Sequence, residues 1–246
     1  MKILIVGLNF HPEPTGIGKY TGEMVAYLAA HGCEVRVITT PPYYPYWKIQ
    51  AGYRAWRYQK ESWQGVEVWR CPLWVPLHPG GLTRLIHLAT FAFSSLPALI
   101  AQIHWKPDVV LCIAPALMNA PFVLAFAQML GSRSWLHIQD FELDAALNLG
   151  ILSGKNFISS WARSFERFVI TRFDRVSTIS KNMLALAVQK AGGADGMLLF
   201  PNWVDTRRIF PLVDEVNPLR TTLGLSTEQL VILYAGTMGR KQGLEQ

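Results

Sequence analysis

Lys2-Ile3-Leu4-Ile5-Val6-Gly7 is the stretch whose reading decides the fold. The run is apolar after its lysine and is broken by Asn9 and His11, too short for a signal peptide, so it reads as a buried strand. Similar runs return at Glu34–Thr39, Val66–Arg70, Asp108–Ile113, Ser134–Ile138, Arg175–Ile179 and Met197–Phe200. Helix-length segments lie between them: Tyr20 to Gly32, Leu82–His104, Asn119–Leu130, Phe157–Phe173 and Lys181–Lys190. Continuous apolar strands alternating with helices predict an α/β protein with a parallel sheet covered on both faces. Right-handed crossovers make that sheet doubly wound and Rossmann-like.

The character of the chain changes after Asn202. The expected organisation is a first domain over residues 1–205 and a polar linker over 206–228 containing Pro211 and Pro218. Residues 229–246 are expected to begin a second Rossmann-like domain, opened by a strand at Val231–Tyr234, so that the complete protein is longer.

The 246 residues are 50% hydrophobic and only 16% charged, which excludes a disordered chain. Lys+Arg exceed Asp+Glu by 23 to 17, and the net charge of +6 points to an anionic partner: a phosphate-bearing ligand, a membrane surface or nucleic acid. Cys33, Cys71 and Cys112 are isolated, which argues against a disulfide framework or a zinc site and fits a reducing compartment. Leu85–Ile103 holds His87, Thr90, Ser94, Ser95, Pro97 and Gln102, and is expected to be a buried or interfacial helix rather than a span.

Ligands of open parallel sheets sit beyond the carboxyl ends of the strands. There the first loop offers His11, then Gly16-Ile17-Gly18-Lys19-Tyr20 at a helix start. Backbone N–H groups and Lys19 favour an anion; a plain glycine-permitted turn is the alternative. The spacing Gly16-x-Gly18-x-x-x-Gly22, and a second strand ending in Ile38-Thr39-Thr40 rather than an acid, disfavour a nicotinamide dinucleotide. Tyr43 to Trp74 packs five tyrosines and five tryptophans beside Lys48, Arg54, Arg57, Lys60 and Arg70, with only Glu61 and Glu67 opposed. That composition suits a lipid headgroup interface, sugar stacking or single-stranded nucleic acid, or else a loop folded onto its own domain. Gln139-Asp140 follows the Ser134–Ile138 strand, where the carboxylate either orients a sugar hydroxyl or accepts a proton, or caps the next helix. Near the end of the chain, Gly236-Thr237-Met238-Gly239-Arg240-Lys241 is a second glycine-rich, basic loop.

The order of these motifs resembles the GT-B glycosyltransferases of family 4, which transfer sugars with retention. The resemblance rests on Gly16-Ile17-Gly18, Lys106–Val110, Ile179–Lys181, Pro201–Asp205 and Tyr234–Gly236. Within that family it is nearer to the colanic acid (exopolysaccharide) biosynthesis enzymes. This implies a nucleotide-sugar donor, with GDP-fucose favoured, and a polyprenyl-pyrophosphate-linked saccharide acceptor. It also implies a cytoplasmic protein, peripheral at the inner face of the cytoplasmic membrane. Carried across, Asp140 would be the catalytic residue beside the transferred sugar. Gly16, Gly18, Gly236, Thr237, Arg240 and Lys241 would hold donor phosphates, while His11, Lys19, Tyr20, Gln139 and Asn202 would face the acceptor. No cofactor or metal is expected, since amides, a helix dipole and Arg/Lys would stabilise the leaving diphosphate. Three departures stand out: Gln139 where the family has histidine, Trp203 where it has glycine, and Thr237 where it has arginine. The family's paired second-domain glutamates would lie beyond Gln246. Two other readings remain: a non-catalytic nucleotide-binding or membrane-docking module, and a nucleic-acid binder, which lacks any recognised motif.

Overall fold

The computed structural model describes residues 1–115, 117–141, 156–211, 218–226 and 228–236. The chain divides into two compact units, Met1–Trp203 and Val204–Gln246.

The first unit is built on one sheet. Its strands are β1 (Lys2–Gly7), β2 (Glu34–Thr39), β3 (Gln59–Trp63), β4 (Val66–Arg70), β5 (Val109–Ala114), β6 (Arg133–Ile138), β7 (Arg175–Thr178) and β8 (Met197–Leu199). They lie in the order β3-β4-β2-β1-β5-β6-β7-β8. All neighbours are parallel except β3, which pairs antiparallel with β4. Around it run α1 (Gly16–Ala30), α2 (Gly81–Ile100), α3 (Ala120–Leu130), α4 (Asn156–Arg172) and α5 (Lys181–Ala191).

The period-two alternation of each strand divides the core between the sheet's faces. Leu4, Val6, Ile38, Val110, Cys112, Leu136 and Ile138 point to one face and meet Phe91 and Leu99 of α2, Val123 and Ala127 of α3, Ile170 of α4 and Ala187 of α5. Ile3, Ile5, Val35, Val37, Val68, Leu111 and Ile113 point to the other and meet Met24 and Val25 of α1. The winding is therefore lopsided: among the described residues, the core on the second face takes its helical residues from α1 alone. Between β2 and β3 the chain forms turns rather than a helix. Pro41, Pro42 and Pro45 supply no backbone donor there.

Two sequence expectations change. Strand β3 was not foreseen; it is a polar edge strand whose burial merely alternates, joined to β4 by Gln64 (φ 48°) and Gly65 (φ 79°). Positive φ at both positions is what a tight type I′ hairpin turn requires. Conversely, Val231–Tyr234 does not form a strand: its side chains are exposed rather than buried in a sheet. The other observed bounds lie within a few residues of those expected, and β1, β2 and β4 begin and end at the residues expected from the sequence.

Helix α2 is long and apolar enough to cross a membrane by length and composition. It is instead docked along one side, with His87, Leu88, Phe91, Ala92, Ser95, Ala98 and Leu99 buried.

Candidate functional site

The chain leaves β1 toward β2 on one side and later returns to β5 on the other, so the carboxyl ends of β1 and β5 form the switch point of the sheet. The loop between β1 and α1 opens there.

That loop is held by a buried carboxylate. Glu13 is 3% exposed; its Oε1 accepts the backbone N–H groups of Tyr43 and Tyr44, each at 3.0 Å, and its Oε2 accepts Asn9 Nδ2 at 2.8 Å. Burial raises its pKa above the ordinary carboxylate value, opposed by the Tyr44 and Tyr43 amides, by Asn9 and by the Arg70 charge. Through Glu13 the first loop and the start of the aromatic segment become one body.

The paired glycines then have separate reasons. Gly18 packs against this carboxylate: a Cβ there would lie 2.7 Å from both Cβ and Oε2 of Glu13 and 3.2 Å from the Phe10 carbonyl. Gly16 is exposed, has φ +60°, and nothing would crowd a side chain there. It starts α1 with no side-chain cap from Thr15 and no acid in the first turn, leaving a helix N-terminus suited to an anion.

Arg70, grouped from the sequence with surface cations, is 1% exposed. It donates to Glu61 Oε1 from Nε at 2.8 Å and Nη2 at 2.6 Å, to the Thr40 carbonyl from Nη1 at 2.9 Å, and to the His11 carbonyl from Nη2. It therefore fastens the ends of β1 and β2 to β3. The His11 ring stacks on Trp63 with centroids 4.6 Å apart, and burial followed by the Arg70 charge lowers its pKa. His11, Pro12, Lys19, Glu23 and Trp63 line a recess of about 310 Å³ that also reaches Gly18.

The other predicted residues lie around this centre. Lys19 Nζ is 5.0 Å from the Tyr20 ring and 3.8 Å from Glu23 Oε1. The Tyr20 ring meets Trp203 edge-on at 5.5 Å, and Trp203 Nε1 donates to Glu23 Oε2 at 2.8 Å, which brings Asn202 beside α1. The residue that departs from the family's glycine is thus a packing anchor. Gln139 and Asp140 follow β6, two strands from β1 across β5, and both are half-buried. Just before them, His137 is 3% exposed, with Nδ1 2.8 Å from Ser177 Oγ; burial pushes its pKa down to about 4, so it is neutral at pH 7. In the second unit, Gly236 is followed by residues outside the described set; Thr237, Arg240 and Lys241 all fall there. Among the described residues no group of three or more His, Cys, Asp or Glu side chains is gathered as for a metal.

Sequence reasoning missed Glu13, Arg70 and Trp63. The clue for Glu13 is a lone acid between Pro12 and Pro14 in a loop otherwise fitted for anions; no local signal marks Arg70, whose partners are remote in sequence.

A Rossmann-like layer with an anion-ready helix at its switch point defines a class that the comparisons make specific. The chain belongs to the glycosyl transferase 4-like domain family, whose model matches residues 15–203. It is 49% identical over 249 residues to an Escherichia coli K12 protein bearing the name colanic acid biosynthesis glycosyl transferase WcaI, covering 100% of this chain and 61% of that relative. Among solved structures it is similar in fold to sucrose-phosphate synthase of Thermosynechococcus elongatus, with a TM-score of 0.66 and 14% identity over 100% of this chain and 58% of that one. It is also similar in fold to the catalytic domain of starch synthase IV of Arabidopsis thaliana bound to ADP and acarbose, with a TM-score of 0.58 and 15% identity over 94% of this chain and 60% of that one. The chain therefore spans less than two thirds of each of these proteins.

Proposed function

We propose that this chain is the acceptor-side part of a retaining glycosyltransferase of exopolysaccharide assembly. It would move a sugar, fucose from GDP-fucose in the favoured form, onto a polyprenyl-pyrophosphate-linked saccharide of the colanic acid type. The observation that carries the reading is identity of 49% across the whole chain to a protein named for colanic acid biosynthesis. The ADP in the starch synthase structure supports a nucleoside diphosphate as the leaving group.

In the reaction, the bond between the sugar's anomeric carbon and the donor diphosphate breaks. An acceptor hydroxyl bonds to that carbon and releases its proton, and the diphosphate departs with added negative charge. Gly16 and the first-turn amides of α1 would supply fixed positive dipoles toward that charge, and Gly236, Thr237, Arg240 and Lys241 are proposed as donor-phosphate ligands. Asp140 stands beside the transferred sugar, and His11, Lys19, Tyr20, Gln139 and Asn202 frame the acceptor. A cytoplasmic location at the inner membrane face follows from a carrier-linked acceptor.

The test uses the full-length protein with radiolabelled GDP-fucose, GDP-mannose and UDP-glucose and a polyprenyl-pyrophosphate oligosaccharide. Transfer to the lipid phase from one donor, lost in Asp140→Asn with stability retained, is the expected result. Absence of transfer from every nucleotide sugar to any such acceptor overturns the reading and leaves the non-catalytic docking module.

A further inference from the structure

Helix α2 is apolar on two opposite sides, and among the described residues only one is packed against the domain. Phe91, Ala98 and Leu99 enter the core. On the other side, Leu82, Ile86, Phe93 and Ile100 are 72%, 44%, 64% and 62% exposed. Steps of 4, 7 and 7 residues keep them in one stripe along the 20-residue helix, about 30 Å long at 1.5 Å per residue. The apolar surface continues onto α3, where Phe122 meets Phe93 with ring centroids 5.9 Å apart and Met129 is 62% exposed. A helix apolar all round is ordinarily buried all round. Soluble surfaces rarely carry a continuous apolar strip of this length without a partner.

Charge identifies the occupant. Residues 68–107 contain no aspartate or glutamate, and neither do residues 109–139. The aromatic segment lies against this helix: Tyr58 donates to the Ser94 carbonyl at 2.8 Å, and the Trp47 ring is 5.3 Å from the His87 ring. Lys48 and Arg57, both exposed, directly adjoin these two contact residues in sequence, and exposed Arg54 lies three residues before Arg57. Apolar residues bordered by cations, with acids excluded, match an anionic phospholipid surface.

We infer that the outer face of α2, bordered by Lys48, Arg54 and Arg57, lies in the plane of an anionic bilayer with Leu82, Ile86, Phe93 and Ile100 among the acyl chains. The proposal deepens the membrane-side part of the proposed function and rests on it for the choice of leaflet. It extends the inserting element from the aromatic segment to α2: Tyr46 and Trp56 are 77% and 68% exposed, but Tyr43 is 3% exposed and Trp47 and Trp63 are packed against the domain. The amino end of α2 follows the carboxyl end of β4, so it reaches the same sheet edge as the β1–α1 loop. A docked α2 therefore presents that edge to substrates anchored in the lipid.

The test is co-sedimentation of the full-length protein with phosphatidylcholine vesicles, with and without phosphatidylglycerol. Wild type is expected to bind only the anionic vesicles, and less so as salt rises. Ile86→Asp with Phe93→Asp is expected to weaken binding roughly tenfold or more, and Lys48→Glu with Arg57→Glu to remove its salt dependence. Phe93→Trp, which keeps an aromatic ring at an exposed position, is expected to add fluorescence that lipids brominated on their acyl chains quench. The inference is overturned if wild type ignores anionic vesicles, if the aspartates leave binding unchanged, or if the Phe93→Trp variant shows no quenching beyond that of wild type. It is equally overturned if wild type is a dimer that the aspartates make monomeric, since the stripe then belongs to a second copy. No sugar nucleotide enters these assays, so their failure leaves the transfer reaction to be judged by its own experiment.

Discussion

Replacing Arg70 with methionine keeps most of the side-chain volume and removes every donor. In the native protein its guanidinium serves Glu61 through two nitrogens, the Thr40 carbonyl at 2.9 Å and the His11 carbonyl. The variant strands two carbonyl oxygens at a site where the arginine side chain itself has no exposure. Each orphaned acceptor costs about 1–3 kcal/mol. The Glu61 side chain is 32% exposed, so water can reclaim its charge, and the ion-pair share is smaller than for a fully buried couple. Together these give about 3–5 kcal/mol, the scale of breaking a buried pair from one side, set against a usual domain stability of about 5–15 kcal/mol. Arg70→Lys, which cannot span three acceptors with one ammonium, is expected to recover about half of the loss. Urea unfolding at pH 7 followed by tryptophan fluorescence measures the free energies, and hydrogen exchange over residues 8–15 reports the loop. A methionine variant within about 1 kcal/mol of wild type, with loop exchange unchanged, would show that Arg70 does not fasten the strand ends.

Three further outcomes are expected. Gly18→Ala should destabilise the protein by about 1–2 kcal/mol, overpacking against Glu13 outweighing about 1 kcal/mol of improved helix propensity; a raised melting temperature would contradict it. Buried His137, with its pKa near 4, binds its proton more readily in the unfolded chain, so stability should be full above pH 6.5 and fall by roughly 3 kcal/mol as pH drops to 4. His137→Phe should flatten that acid limb, and an unchanged limb would assign it elsewhere. Burial pushes the thiols of Cys71 and Cys112 up to about 12, so a disulfide reagent at pH 8 should titrate half-buried Cys33 alone until denaturant is added.

The parts of this fold that were legible in the sequence are those whose residues report a local environment. β1 advertises its burial through a run of Ile, Leu and Val, and β2 and β4 do so through valines at alternate positions. Gln59–Trp63 does not, because an edge strand exposed on alternate residues needs no apolar run. The site shows the same division. Gly16 and Gly18 stand out as a pair, yet one serves backbone freedom and the other close packing against a side chain five residues before it, a distinction that requires three dimensions. Arg70 looked like its neighbours Lys60 and Arg57 because its partners are 9, 30 and 59 residues away. Trp203 was visible as a departure from the family, but its use became plain only beside Glu23, 180 residues earlier.

Glu13 has a practical consequence for anyone building chimaeras. Its two grips on the Tyr43 and Tyr44 amides make the turn at Pro12–Pro14 and the tryptophan-rich stretch behind it a single cassette. Swapping that stretch between relatives should succeed only when the turn travels with it. Transplanted alone, the new stretch would meet a carboxylate shaped for another backbone.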